Sequence, residues 1–350
     1  MRPRMLIPLA LLATGFFLAA EPTQASPQSG QEATDYASHF NHGGELMQQM
    51  RFHDAVAEFR EALRLNPAYL PAHQALIVGY AITQCFDLSW QEVDLVRKSG
   101  GDVPDKFTRL LEEEISEKDA TTKRESNALE LAAAQKAAAE EPKNAASHAR
   151  LSRGFEKAGD FPAAQKEADL ALQLNPMEPE AHFVLARLLA GDPPTNQQSL
   201  SHLKLYLQNV ARTPGASADI AEASWMLGDV YKHMEKEGQA IAAYEDGLKV
   251  DPENSHLLNN AAWSYATASD TSLRNPAKAL VYARKAVALT KEAKSGVLDT
   301  LGESFYVNAR FDEAIAAEKK AIALSPDNDL FADQLKKFQK AKQNAALPKP

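Results

Sequence analysis

Histidine is the residue whose placement in this 350-residue chain most suggests chemistry. His39, His73, His148 and His182 recur at corresponding points of similar stretches, and His42 follows three residues after His39. Imidazole is the commonest metal ligand, and a zinc site needs its ligands to converge at ~2.0–2.1 Å on one ion. Corresponding points of neighbouring helical units stand a helix diameter apart, on the order of 10 Å. The four histidines therefore read as packing positions, and His39 with His42 lacks a third ligand. Glu112, Glu113 and Glu114 are consecutive. Consecutive residues diverge around a helix, so these carboxylates read as a solvated face and not as an acid–base pair. Cys85 is the only cysteine, which excludes an intrachain disulfide and a Cys-x-x-Cys site. The sequence lacks the zinc-protease His-Glu-x-x-His, the Gly-x-Ser-x-Gly nucleophile turn and the glycine-rich phosphate loops. No catalytic residue, metal ligand or cofactor is expected, and the chain reads as a non-enzyme.

Any surface the chain offers must then be positioned by helices. Alanine is abundant and aromatics make up only 7% of residues, which favours helix over strand. The net charge of −9 argues against a nucleic-acid binder and against attraction to anionic lipid. At the N-terminus, Arg2 and Arg4 precede an apolar run from Met5 to Ala20, followed by small residues. This layout is that of a secretory signal peptide, with cleavage after Ala20 or Ala25. The run is shorter than the ~20 residues that span a bilayer, and no direct membrane insertion is expected after cleavage. Residues 26–35 read as a flexible leader rich in Ser, Gln and Pro. The expected location is periplasmic or secreted.

The helical texture repeats. One copy reads Leu227, Gly228, Tyr231, Ala240, Tyr244, Gly247, Pro252, and another Leu301, Gly302, Phe305, Ala314, Glu318, Ala321, Pro326. A third reads Leu151, Phe155, Ala164, Ala168, Ala171, Pro176, and a fourth Gly43, Leu46, Ala55, Phe59, Ala62, Pro67, with the same spacing in each. Small residues let two helix axes approach closely, and the aromatics fill the space that remains. The proline ends the second helix, because the residue before it avoids the α region. Two further copies, Pro179–Pro214 and Ser255–Lys291, carry longer turns ("GDPPTNQQ" and "SDTSLR"). Between Leu70 and Asn144 the register fails after Cys85, and the span reads as one or two degenerate hairpins. Near the C-terminus, Leu330, Phe331, Leu335 and Phe338 mark an amphipathic capping helix.

This pattern resembles the tetratricopeptide repeat (TPR), a 34-residue helix–turn–helix unit. The resemblance implies an all-α fold, a right-handed α-solenoid with a C-terminal capping helix. The expected divisions are a signal peptide at 1–25, a leader at 26–35, an N-terminal TPR hairpin with degenerate hairpins at 36–144, and a TPR array at 145–328. A capping helix at 329–344 and a tail at 345–350 follow. The C-terminal part also resembles stretches of large bacterial members of the family.

Family resemblance further implies that ligands, usually extended peptides or a partner's helix, lie on the concave face lined by the first helices. The residues there would be Arg153, Lys157, Arg187, Trp225, Asp229, Asn259, Trp263 and Glu303. Arginine can hold a carboxylate bidentately, asparagine can pair with an extended backbone, and tryptophan is a common interface anchor. The two tryptophans equally suit gaps between hairpins, and the arginines equally suit solvated positions. The implied function is an interaction scaffold that binds a segment or helix of another envelope protein. The alternative is a small-ligand-binding protein or enzyme, with a pocket where residues 85–123 interrupt the array.

Overall fold

The computed structural model describes residues 32–190, 196–210 and 217–346. The expected signal peptide and most of the leader fall outside the described residues, as do the chain's last four residues. The described residues form seventeen α-helices and one short 3-10 turn, with no strand among them. The chain divides into two compact units, one up to residue 209 and one from residue 210.

The first unit begins with the hairpins α1 (Glu32–Gln48) with α2 (Phe52–Leu65) and α3 (Leu70–Ile82) with α4 (Phe86–Lys98). The short α5 (Asp105–Glu114) and the long α6 (Glu117–Glu140) follow. Two more pairs complete it, α7 (Ala145–Lys157) with α8 (Phe161–Leu174) and α9 (Pro179–Leu189) with α10 (Asn196–Val210). The second unit pairs α11 (Ser217–His233) with α12 (Glu237–Val250), α13 (Ser255–Thr267) with α14 (Pro276–Leu289), and α15 (Ser295–Val307) with α16 (Phe311–Leu324). It ends in α17 (Asp329–Ala346). Within each unit, consecutive hairpins lie against one another, as in an α-solenoid.

Each tight hairpin is made the same way. One residue of the turn takes a left-handed conformation: Met50 (φ 62°), Gln84 (64°), Gly159 (68°), Glu235 (58°) and Ala309 (58°). The next N–H then reaches back to the first helix, as in Cys85 to the Tyr80 carbonyl (2.8 Å) and Arg310 to the Phe305 carbonyl (3.0 Å). This is the backbone solution to unsatisfied carbonyls at a helix end. Polar side chains start several of the helices. Asn144 accepts from the Ala146 and Ser147 amides, and Asn254 from those of His256 and Leu257.

Packing follows the small–large alternation. The Phe59 ring lies over Gly43, where a Cβ would come within 2.5 Å of it. Tyr244 lies over Gly228 even more closely, at 2.1 Å. Where serine stands at the crossing it donates to the facing helix, as Ser152 Oγ does to the Ala164 carbonyl at 2.6 Å and Ser89 Oγ to that of Ile77 at 2.7 Å. The lengthened turn of the α13–α14 hairpin is pinned as well. The Glu237 carboxylate accepts from the Ser269 amide (2.9 Å) and the Asp270 amide (3.3 Å).

The stretch where the repeat register fails has its own architecture. Trp90, Val93, Val96, Val103, Phe107 and Leu111 are buried in one core with the two N-terminal hairpins, and Trp90 Nε1 donates to the Ile115 carbonyl at 3.1 Å. The 24-residue α6 then packs on both α4 and α7. The unit also makes contacts far apart in sequence. Arg60 Nη1 donates to the Ala158 carbonyl at 2.9 Å, His53 meets Phe161 edge-on at 4.7 Å, and α2 touches α8.

Candidate functional site

In the second unit, α13 lies against both α11 and α15, so the first helices of successive hairpins form a continuous layer. Repeat register places Trp225, Asn259 and Asp299 in one row on this layer, and Asp229, Trp263 and Glu303 one turn further on. Asp229 Oδ1 accepts from the buried Tyr244 hydroxyl at 2.5 Å and from Asn260 Nδ2 at 3.2 Å. Burial, reinforced by the Asp229 charge, pushes the Tyr244 phenol well above its ordinary pKa, so it stays a donor. Asn259 Nδ2 in turn donates to Asn260 Oδ1 at 3.3 Å. Asn259 is only 2% exposed, and its Oδ1 has no hydrogen-bond partner within the chain. The buried indole Nε1 of Trp225 likewise has none. A buried acceptor and a buried donor on adjacent helices are thus left with bonding capacity that the fold does not use.

Trp263 is half-buried on α13, one turn after Asn259. Glu303, in the same row, is used differently. It is 3% exposed and accepts from Gln334 Nε2 and Lys337 Nζ, both at 2.6 Å. Its carboxylate is committed to holding α17, which also seats Phe338 against Tyr306 in a stacked pair 5.2 Å apart.

The basic residues belong to the first unit, on α7 and α9. Arg153 Nη1 pairs with Glu180 Oε1 at 2.7 Å, and Arg187 Nε with the buried Glu156 Oε1 at 2.6 Å. The Arg187 guanidinium also lies 5.7 Å from the Phe183 ring centre. Lys157 pairs with Glu130 of α6. The positive charge expected along this face is therefore countered at each of the three positions by a carboxylate of the same chain.

The histidines form a repeated clasp. His39, His73 and His148 each place Nδ1 at 2.6–2.7 Å from a glutamate nineteen residues on, Glu58, Glu92 and Glu167. The Nε2 atoms of His73, His148 and His182 donate to the carbonyls of Pro67, Pro142 and Pro176 at 3.0–3.1 Å. The rings of His73 and His148 thus tie the second helix of their own hairpin to the end of the preceding helix. The Glu92 hydrogen bond raises the His73 pKa above its usual value. Among the described residues, no group of three His, Cys, Asp or Glu side chains could hold a metal ion. No described helix is long and apolar enough to cross a membrane.

Sequence reasoning missed Asn260 and Asp299. Extending the register of Trp225 and Asn259 by one more repeat would have found Asp299. It also missed Glu156, whose role depends on a contact between α7 and α9 that no local spacing encodes.

Family models described as tetratricopeptide repeat match residues 149–193 and 221–254. No curated protein matches the chain. Among solved structures, YrrB, described as a TPR protein with an unusual peptide-binding site, is 15% identical, with 58% of this chain and 98% of that chain covered at a TM-score of 0.48. TTC0263, a thermophilic TPR protein of Thermus thermophilus, is 24% identical, with 57% and 99% covered at 0.34. The first TPR domain of human RPAP3 is 25% identical, with 36% and 94% covered at 0.32. The matched stretches fall on α7–α9 and α11–α12, which are thus tetratricopeptide repeats, and the small-residue crossings and left-handed turns of these hairpins recur elsewhere among the described residues.

Proposed function

We propose that the chain is a non-enzymatic interaction scaffold that holds a peptide segment or helix of another protein on the layer formed by α11, α13 and α15. The observation that carries this reading is the pair of unused buried groups, Trp225 Nε1 and Asn259 Oδ1, beside the half-buried Trp263. An amide offers both a carbonyl and an N–H, the complement of this donor and acceptor. Two aromatic faces beside them suit anchoring. The alternative reading, a small-ligand pocket at residues 85–123, is disfavoured by the packing of Trp90, Phe107 and Leu111 into the core. The layout of residues 1–25 supports a place in the cell envelope or outside the cell, which fractionation with N-terminal sequencing of the mature protein would test.

Selection of a random 12-residue peptide library against the full chain tests the scaffold reading. Peptides that bind the wild type should bind the Asn259→Ala and Trp225→Phe variants at least about tenfold more weakly, a difference of ~1.4 kcal/mol. Peptides that bind both variants as well as they bind the wild type would refute the assignment of this face.

A further inference from the structure

The fourth histidine clasp departs from the other three. His182 sits where His39, His73 and His148 sit in their hairpins, but its partner on the second helix is His202 and not a glutamate. The two Nδ1 atoms are 2.9 Å apart. Geometry fixes the protons. His182 Nε2 faces the Pro176 carbonyl at 3.0 Å, and a carbonyl can only accept, so Nε2 carries hydrogen. When both rings are neutral, His182 Nδ1 accepts and His202 Nδ1 donates. A first proton is accommodated on His202 Nε2 with this bond intact, or on His182 Nδ1 with the bond reversed. A second leaves two N–H groups and two positive charges face to face. A glutamate partner behaves oppositely, because an imidazolium beside a carboxylate is held more firmly than an imidazole.

We propose that the His182–His202 contact is an acid-sensitive latch between α9 and α10, closed while the rings share at most one proton and open when both are charged. The surroundings offer the two charges one carboxylate. Glu178, at the start of α9, acts on His182. Glu180 is engaged by Arg153, Arg187 by Glu156, and Glu167 of α8 by His148. Asp169 on α8 and Lys204 on α10 are solvent-exposed. Burial holds both rings below the ordinary histidine value of 6.5, and the charge of His182 adds to this at His202. The sign follows. Groups with depressed values favour the closed form fully above 6.5, and that contribution is lost as pH falls from 6.5 through the depressed values. The Phe183–Tyr206 stack at 4.6 Å and the Ser199 hydroxyl on the Ala186 carbonyl at 2.9 Å remain as non-titrating contacts, so the response is local loosening and not unfolding.

The test is amide hydrogen exchange of the full chain at about pH 7.5 and about pH 5, corrected for intrinsic rates, in wild type and in His202→Glu, which restores the partner used in the other clasps. In wild type the protection of α10 should fall by about tenfold per pH unit for each proton gained on opening, while α8 keeps its protection. In His202→Glu this fall should disappear. Constant protection of wild-type α10, or an equal fall in the variant, overturns the latch. Ring titration of wild-type His182 and His202 by NMR decides the matter even if the variant does not fold. Two separated protonation steps are expected, and two independent steps near the ordinary histidine value would overturn the proposal.

Discussion

Gly228 stands at the tightest crossing in the second unit, and Gly228→Ala gives the sharpest test of the packing argument. A Cβ there would lie 2.1, 2.5 and 2.7 Å from three ring carbons of Tyr244. Carbon contacts settle near ~3.5–4.0 Å, so the ring must move by more than about 1 Å. Tyr244 is wholly buried, and its hydroxyl is held by Asp229 at 2.5 Å. Overpacking costs ~1–3 kcal/mol, and weakening a hydrogen bond to a carboxylate costs ~1.5–3 kcal/mol. Alanine returns about 1 kcal/mol through its higher helix propensity. The net expectation is destabilisation by about 2–4 kcal/mol. Urea unfolding followed by tryptophan fluorescence in a Trp90→Phe background would read the second unit through Trp225 and Trp263. The decisive comparison is a double-mutant cycle with Tyr244→Leu. If the ring is the obstacle, Gly228→Ala should cost less than about 1 kcal/mol once the ring is gone. An equal cost in both backgrounds would refute the claim that this glycine exists to seat Tyr244.

Five other substitutions have signs set by the structure. Ala309→Gly and Glu235→Gly should each stabilise the second unit by about 0.5–1 kcal/mol in denaturant melts, because both residues hold a left-handed conformation that costs a Cβ-bearing residue ~1–2 kcal/mol. Glu303→Ala removes the acceptor of Gln334 and Lys337 and should cost about 2 kcal/mol, seen as faster amide exchange confined to α17 and the face it covers. His53, half-buried against Phe161, is pushed down to about 4 from 6.5, first by burial. Its neutral form therefore supports folding above pH 6.5, and that support is lost as pH falls from 6.5 towards about 4, so His53→Phe should flatten the acid limb of the first unit's stability curve. His73 works in the other direction. Its raised value contributes stability below 6.5 that is lost as pH rises through the folded value, so His73→Gln should weaken the first unit more at pH 6 than at pH 9.

Much of the fold was legible because its rules are local. Gly228 with Tyr244, Gly43 with Phe59 and the prolines closing α2, α8, α12 and α16 are spacing rules that act within one hairpin, and a single sequence displays them. The turn geometry was less visible, since Met50, Gln84, Glu235 and Ala309 take the conformation that Gly159 takes, and only the glycine advertises it. The histidines were placed correctly but understood incompletely. Their packing role is polar, and the glutamates nineteen residues on were the available clue. The docking of the α7–α8 turn on α2 was out of reach. Arg60 and Ala158 are 98 residues apart, and nothing periodic links them. The candidate surface was partly legible. Trp225, Asp229 and Asn259 do share one layer, whereas Glu303 resembled a surface position and is instead used to hold the end of the chain.

The last helix begins as α7 and α13 do, with an asparagine, Asn328, accepting from an amide two residues on at 3.2 Å. It seats Phe331 and Phe338 inward and has no second helix after it within the described residues, while Asp333, Lys336 and Lys340 face the solvent. Within the described residues the array thus ends on half of a unit whose outer side is wettable. Length becomes an adjustable property. Splicing whole hairpins in ahead of Asn328 would carry the same capping helix, with its wettable outer face, to a new position.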